Sequence, residues 1–194
     1  MDNYIYIVAG LPELTLAFEN SGFSYDSVKG YFYSLLSEKD RQTVDFFEEG
    51  FDDEKLNPDF YEKALAHKNR FIRDYFRFDL HTRNMKVAYL GKRLNQSVDK
   101  YLIETKENDF EDEKRVQAVF DIQDFVLREQ QMDKLKWDKA SEIVRMEYFS
   151  LNVILAFLLK AKLIERWSKL YKEKGNEMFK QLVDEVRGTQ KTEK

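Results

Sequence analysis

The stretch Tyr148-Phe-Ser-Leu-Asn-Val-Ile-Leu-Ala-Phe-Leu-Leu-Lys-Ala-Lys-Leu-Ile-Glu-Arg-Trp167 is the most apolar part of the chain. Every residue from Val153 to Leu159 is apolar, so a helix formed here has no face suited to water and must be buried. The run is far shorter than the roughly 20 apolar residues of a membrane span, and Lys160 and Lys162 close it. The stretch therefore predicts a buried core helix near the C-terminus, on which the other helices pack.

The composition indicates one soluble domain, residues 1–194, built from long and short helices. Hydrophobic residues make up 43% of the chain and charged residues 35%, which is typical of a globular protein and not of a disordered one. Only 7 Gly and 2 Pro occur, so long helices can run without interruption. We expect the 16 Phe and 11 Tyr residues to fill the space between helices.

The composition also argues against several functional classes. Cysteine is absent, which excludes disulfides and thiol catalysis. The net charge of −4 argues against a nucleic-acid binder, since that class usually carries a basic excess. The N-terminus has Asp2 where a secretion signal has Lys or Arg. We therefore expect a cytoplasmic protein that is at most peripheral to the inner face of the membrane.

Local signals predict where several helices begin and end. Ser24 and Ser37 are expected N-caps, and Gly50 is an expected helix end. Asn57 followed by Pro58 is the clearest start signal in the chain. From there to about Leu94 the pattern predicts one long helix, or two nearly collinear ones, with a bend at 79–82.

Other segments give weaker signals. Residues 4–9 are apolar and fit either a strand or a buried helix, and Pro12 could start a short helix reaching Phe18. We expect another helix over 98–103, after Asn95-Gln-Ser97, and one or two short helices over 116–127. Because no strand pattern with hairpin turns follows residue 10, the predicted fold class is all-α.

Four basic residues form the sharpest pattern outside the expected core. Arg70, Arg73 and Arg77 lie at positions i, i+3 and i+7, which share one helix face, and Lys63 precedes them by more than a turn. This ridge is either a docking surface for an acidic partner or anionic head groups, or a solvated face. A second basic stripe, Lys160, Lys162, Arg166 and Lys169, is interpreted as cations reaching water from the end of the buried helix.

No catalytic, cofactor-binding or metal-binding set is recognised. His67 and His81 are the only histidines, and neither has Glu three residues before it, as helical di-iron sites require. Phosphate-binding glycine loops and the Gly-x-Ser-x-Gly setting of a serine nucleophile are absent from the sequence. We therefore expect a non-catalytic protein without a cofactor.

Two stretches of the chain match one another without gaps. Phe78–Lys92 and Met146–Lys160 align so that Asn84 falls on Asn152, and acids, hydroxyls, aromatics and the final lysines also coincide. Ser/Thr and Asn ahead of an apolar run can cap or bend the start of a helix. The alternatives are a duplicated helical unit, spanning about 60–96 and 132–174, or chance similarity between amphipathic helices.

Three segments resemble the C-subunit family of the V/A-type ATPases, whose eukaryotic V-ATPase members are called d-subunits. Asp79–Leu94 is similar to the repeated motif of that family, in which an acid and an Asn precede an apolar helix that ends in basic residues. Phe149–Lys160, followed by Ile164-Glu-Arg166, resembles its C-terminal repeat, and Asn3–Gly10 looks like its aromatic N-terminal helix. The N-terminal Tyr-x-Tyr-x-Val-Ala-Gly-Leu-Pro-Glu-Leu is closest to a small bacterial family encoded among V-type ATPase subunits.

The chain also departs from that family. The family usually has three repeats in a much longer chain, whereas two repeats are found here. The Asn-Leu-Arg expected after the last repeat is replaced by Trp167-Ser-Lys-Leu170.

The resemblance implies a central-stalk role without chemistry. The C-subunit is an all-α socket that receives the end of the rotating shaft and rests on the membrane rotor ring, so the implied partners are other V-type ATPase subunits. The alternative function is a soluble helical module that binds a lipid or another apolar ligand between its aromatic-rich helices.

Overall fold

A computed structural model describes residues 3–16, 24–105 and 110–189, with side chains described as far as Tyr171. In these ranges the chain forms helices and no strand, which confirms the all-α prediction. The α-helices are α1 Tyr4–Ala9, α2 Tyr25–Tyr33, α3 Glu38–Glu49, α4 Pro58–Leu65, α5 Arg70–Leu94, α6 Glu113–Phe120, α7 Phe125–Ile143 and α8 Leu151–Thr189, with a 3₁₀ turn at Asp99–Tyr101.

The first half of α8 is the centre of the molecule. Ile154, Leu155, Leu158 and Ala161 are completely buried, and helices α1, α2, α3, α5 and α7 all pack against α8. The apolar stretch is therefore surrounded on its sides, as its uniform hydrophobicity predicts. The predicted buried C-terminal helix is confirmed.

Aromatic side chains fill the space between α3, α4 and α5. The Phe47 ring meets the rings of Phe71, Tyr75 and Phe76 at centroid distances of 5.6, 6.0 and 5.7 Å. Such edge-on and tilted pairs add about 0.5–1.5 kcal/mol each beyond the area they bury. The expectation that the abundant Phe and Tyr residues serve as core filler is confirmed for this part of the chain.

A second, smaller cluster lies on another side of α5. Phe78 packs there with residues of α6 and α7, namely Val116, Val119, Phe120 and Met132. Tyr75 and Phe76 face the main cluster instead. Because α5 contributes to both clusters, it connects the two parts of the core.

The predicted helix starts are confirmed in detail. The Ser24 and Ser37 side chains accept hydrogen bonds from the backbone N–H groups of Ser27 and Asp40. Asn57 accepts from Phe60 N at 2.9 Å, and Pro58 occupies the first turn of α4. Gly50 ends α3. Residues 4–9, left open between strand and helix, form α1.

The helical region predicted from Asn57 to about Leu94 is divided into two helices, and the division does not fall at 79–82, where α5 is continuous. The break between α4 and α5 instead lies at 66–69. There the Asn69 side chain accepts a hydrogen bond from Ile72 N at 3.1 Å and caps α5. A side chain that satisfies a free N–H group in this way favours a new helix start over a continuous helix.

Two weaker predictions also fail. The helix expected over 98–103 is reduced to a single 3₁₀ turn. The Asn84 amide group pairs with the backbone of Ile103 instead, donating to its O at 2.7 Å and accepting from its N at 3.1 Å. Residues 12–16 are not helical, and the end of the short helix expected after Pro12, at Phe18, lies outside the described residues.

The two stretches that match in sequence differ in local structure. Residues 78–92 lie wholly inside α5, so Thr82 and Asn84 are mid-helix residues. Residues 146–160 begin before α8, where the Ser150 hydroxyl accepts a hydrogen bond from Val153 N at 3.4 Å and caps the helix. The expected capping role is thus confirmed in the second stretch and wrong in the first. Duplication of the unit stays a prediction.

None of the helices in the described ranges combines the length and the hydropathy that crossing a bilayer requires.

Replacing Phe157 by Ala tests the core assignment of α8. The Phe157 side chain is buried, so we expect its truncation to lower the free energy of unfolding by about 3–5 kcal/mol. Phe149→Ala is the matched control, because Phe149 is half exposed and its loss should change that free energy by about 0.5 kcal/mol or less. Chemical denaturation measures both values, and equal effects would contradict the assignment.

Candidate functional site

Three helices turn one face each towards a common cavity of about 610 Å³. The faces follow the same i, i+3, i+4, i+7 spacing, which brings four side chains to one side of a helix. They are Asp79, Thr82, Arg83 and Lys86 of α5; Glu129, Met132, Asp133 and Lys136 of α7; and Leu159, Lys162, Leu163 and Arg166 of α8. The segment after α3, with Phe51, Asp53 and Leu56, and the rings of Tyr61 and Tyr75 complete the wall.

Asp133 is the most deeply buried carboxylate of this wall, with 1% of its surface exposed. Its Oδ2 atom accepts hydrogen bonds from Arg166 Nη1 at 2.6 Å and from Trp167 Nε1 at 2.7 Å. A buried carboxylate is tolerated when a cation and further donors satisfy it. Asp133 therefore fixes α8 against α7 at the point where α8 changes from apolar to polar.

Glu129 extends this pairing to the third helix. It contacts Lys86 Nζ of α5 and Arg166 Nη2 of α8, both at 3.2 Å. Burial alone would raise the pKa of Glu129, but the adjacent Lys86 and Arg166 hold it below the ordinary value. One carboxylate thus connects α5, α7 and α8 through charge-assisted hydrogen bonds.

Asp79 and two tyrosines form another part of the cavity wall. The Tyr61 hydroxyl donates to Asp79 Oδ2 at 2.7 Å, and Lys136 Nζ lies 4.0 Å from Asp79 Oδ1. Burial, followed by the charge of Asp79, raises the pKa of both Tyr61 and Tyr75 far above the usual tyrosine value. Both hydroxyls therefore stay protonated and can act as hydrogen-bond donors.

Half of the residues that line the cavity are charged. Its volume falls within the range of about 300–1,000 Å³ that is usual for ligand sites, but such sites are mostly lined by apolar residues. Acids and bases are mixed on these walls, with Asp53, Asp79, Glu129 and Asp133 against Arg83, Lys86, Lys136, Lys162 and Arg166. The arrangement suits a polar or ionic partner group better than a hydrocarbon chain.

The predicted basic ridge lies elsewhere, and none of its residues lines the cavity. Arg70 and Arg77 share Asp74, at 3.2 and 3.4 Å. Arg73 donates to the backbone carbonyls of His67 and Lys68, at 2.7 and 2.8 Å.

Lys63 has an exposed side chain in the last turn of α4. Because α4 ends before residues 66–69 and α5 begins after them, Lys63 does not continue the helix face of the three arginines. The structure brings the arginines together on α5 and leaves Lys63 on another helix.

The second basic stripe has more contacts than the sequence suggested. Lys160 lies over the Trp137 ring at 5.0 Å and Lys162 over the Tyr25 ring at 4.7 Å, as cations next to aromatic faces. Burial lowers the pKa of Lys160. Arg166 is partly exposed, as predicted, but it also binds Asp133 and Glu129.

Sequence reasoning missed the cavity as a whole. Its signal in the sequence is the recurrence of charged residues at helical spacing, as in Glu129, Asp133 and Lys136 of α7. That signal shows that a helix has a polar face, but not which faces meet.

The two histidines are packed against aromatic rings. His67 stacks on Phe46 at 5.1 Å, and its Nδ1 atom accepts a hydrogen bond from Asn69 N at 3.0 Å. His81 stacks on Phe110 at 4.8 Å. Burial, and then the nearby Arg73, lower the pKa of His67.

Within the described part of the chain, no group of three or more His, Cys, Asp or Glu side chains is arranged to hold a metal ion.

Comparison with known proteins places most of the chain in one family. A family model described as "Protein of unknown function (DUF2764)" matches residues 51–189. The match covers α4 to α8, and so includes all three helices that form the cavity. No curated protein and no solved structure matches the chain.

Removing the Asp133 carboxylate tests the junction of α7 and α8. Asp133→Ala leaves Arg166 and the Trp167 N–H group without their buried acceptor, and we expect a loss of about 2–3 kcal/mol in the free energy of unfolding. Asp138→Ala is the control on the same helix, because the Asp138 carboxylate is partly exposed and its contact with Arg115 is long, at 3.9 Å. We expect loss of this carboxylate to cost less than about 1 kcal/mol. Urea titrations compare the two, and a small effect of Asp133→Ala would contradict the junction.

The lowered pKa of Glu129 predicts a pH dependence. A carboxyl whose pKa is lower in the folded state stabilises the fold above its unfolded value, here 4.5, and this contribution is lost as the pH falls through the folded value. The difference in unfolding free energy between the wild type and Glu129→Gln should therefore be larger at neutral pH than well below pH 4.5. Denaturation at several pH values measures it, and a constant difference would argue against the Lys86–Glu129–Arg166 pairing.

Proposed function

We propose that this chain, which belongs to the DUF2764 family of proteins of unknown function, is a non-catalytic subunit of a V-type ATPase or ATP synthase. In this proposal it is a central-stalk adaptor, similar to the C-subunit, that joins the rotating shaft to the membrane rotor ring. Its partners are the subunits of the shaft and the ring, and its place is the cytoplasmic face of the membrane, as a peripheral protein.

The observation that supports the proposal best is where the two family-like stretches lie. The first stretch is Asp79–Leu94, and the second is Phe149–Lys160 with its continuation to Arg166. Each stretch contributes one helix face to the same cavity. An adaptor that receives the end of another subunit needs a polar recess between helices that are joined to one another. The cavity between α5, α7 and α8 is polar, and ion pairs join its three helices.

The ion pairs around the cavity are consistent with a body that carries torque. Lys86, Glu129 and Arg166 link three helices, and Asp133 adds a buried contact to the same arginine. The Asp133 and Glu129 carboxylates are shielded, at 1% and 15% exposed, while Lys86 and Arg166 are partly exposed, at 48% and 44%. Separating Arg166 from the buried Asp133 would leave that carboxylate without its cation, which is unfavourable. Together with the apolar centre of α8, these ion pairs oppose sliding of the helices past one another.

The alternative function, binding of a lipid or another apolar ligand, has less support. An apolar ligand in the cavity would have to lie against nine charged side chains. It would remove them from water without offering hydrogen bonds, which is unfavourable.

A binding experiment with charge-reversed cavity residues tests the proposal. The purified chain is expected to form a stable complex with the purified shaft subunit, and Lys136→Glu should weaken that complex at least about tenfold, or about 1.4 kcal/mol. The matched control is Lys134→Glu, since Lys134 lies on the same helix, is exposed and does not line the cavity. Arg83→Glu, on α5, serves as a second cavity variant.

Thermal unfolding of each variant distinguishes a lost partner contact from a lost fold. Failure of the wild-type chain to bind any shaft or ring subunit would overturn the proposal. Equal weakening by Lys134→Glu and Lys136→Glu would show that the cavity is not the docking site. Co-purification with lipid, without binding to those subunits, would favour the alternative.

A further inference from the structure

The connector between α7 and α8, residues 144–150, carries the two most exposed large apolar side chains of the described residues. Met146 is 82% exposed and Tyr148 76%, and the adjacent Phe149 is 52% exposed. Isolated exposed apolar residues are common, but several together at one place usually mark an interaction surface.

The connector holds these side chains in a defined arrangement. The Glu147 carboxylate, which lies between them in sequence, accepts hydrogen bonds from the Ser150 hydroxyl and from Asn152 Nδ2. The backbone N–H of Glu147 donates to Val144 O at 2.8 Å. These hydrogen bonds hold Glu147 against the start of α8, while Met146 and Tyr148 on either side of it stay exposed.

The start of α5 brings positive charge to the same place. Arg70 Nη2 lies 3.5 Å from Ile143 O, and Arg70 Nη1 lies 3.8 Å from Glu147. The Asn69 side chain donates to Asn152 Oδ1 at 2.8 Å. The connector and the first turn of α5 are therefore neighbours, and the arginines of α5 begin at the edge of the exposed apolar group.

Two of the basic side chains at this surface have no acidic partner among the described residues. Arg73 is bound only to backbone carbonyls, which do not neutralise its charge. Arg145 is exposed and adjoins Met146. The acids at this surface already have cationic partners, since Asp74 and Glu147 pair with Arg70 and Glu142 pairs with Lys139, so the surface keeps an excess of positive charge.

We propose that the connector and the start of α5 form a binding surface for an anionic phospholipid bilayer. Side chains that are about four-fifths exposed project from the molecule and do not line a groove, so they suit a soft apolar medium better than a rigid partner. Aromatic side chains favour the interface between head groups and hydrocarbon. Basic residues beside them contribute about 1 kcal/mol each towards an anionic surface. Met146 and Tyr148 enter the interface, and Arg73 and Arg145 contact the head groups.

The start of α7 offers a matched control surface. Phe125, Val126 and Leu127 are also consecutive, large, apolar and exposed, at 65%, 48% and 44%. They are preceded in sequence by the exposed acids Asp121 and Asp124. The two surfaces therefore have similar apolar character, but the second has two acids at its edge beside a single cation, Arg128, which lies over the Phe125 ring at 5.5 Å.

Vesicle flotation with the full chain tests the inference. The chain should float with vesicles of phosphatidylcholine and phosphatidylglycerol in equal parts, much less with phosphatidylcholine alone, and less at high salt. Met146→Ser, Tyr148→Ser and Phe149→Ser combined should abolish flotation. Arg73→Gln and Arg145→Gln should each weaken partitioning about fivefold. The triple Ser variant at Phe125, Val126 and Leu127 should float as the wild type does.

The experiment uses only the isolated chain and lipid, so its result does not depend on the proposed ATPase role. Absence of flotation with anionic vesicles would overturn the inference, as would flotation that the connector substitutions leave unchanged. If the chain ignores vesicles and the connector substitutions instead abolish its complex with a shaft or ring subunit, the surface belongs to a protein partner. Circular dichroism of each variant confirms that it is folded.

Discussion

Burial of α8 on every side between Ile154 and Ala161 is the constraint on which the rest of the fold depends. A segment without a polar face has to be covered by other helices, and α1, α2, α3, α5 and α7 provide that cover. A hairpin of α8 with one other helix would leave part of this apolar segment exposed to water. These five helices are therefore arranged around one central helix.

The candidate site lies where the apolar run of α8 ends. Beyond Ala161, α8 carries Lys162 and Arg166, whose side chains are partly exposed. Lys162 pairs with Glu165, whereas Arg166 pairs with Glu129 and with the buried Asp133, which requires such a partner. The same residues therefore stabilise the packing of three helices and give the cavity its charge. A polar recess with firm walls is a consequence of extending a buried helix past its apolar run.

How far the sequence predicts this structure depends on the range of the interactions involved. Helix starts at Ser24, Ser37 and Asn57 depend on atoms three residues away, and they were predicted correctly. The break before Asn69 is also local, but the continuing apolar pattern of α4 and α5 concealed it. The cavity depends on partners far apart in sequence, such as Asp133 with Arg166. A single sequence gives the polar face of each helix but not the way those faces combine.

The most direct measurement of the central claim is hydrogen–deuterium exchange of the chain, alone and saturated with the purified shaft subunit. If the cavity is the docking site, binding slows exchange in the cavity wall, at 50–56 and along α7 from Glu129 to Lys136. The centre of α8 should already be protected in the free chain. Protection confined to surfaces away from the cavity, or no change at saturating shaft subunit, would contradict the account.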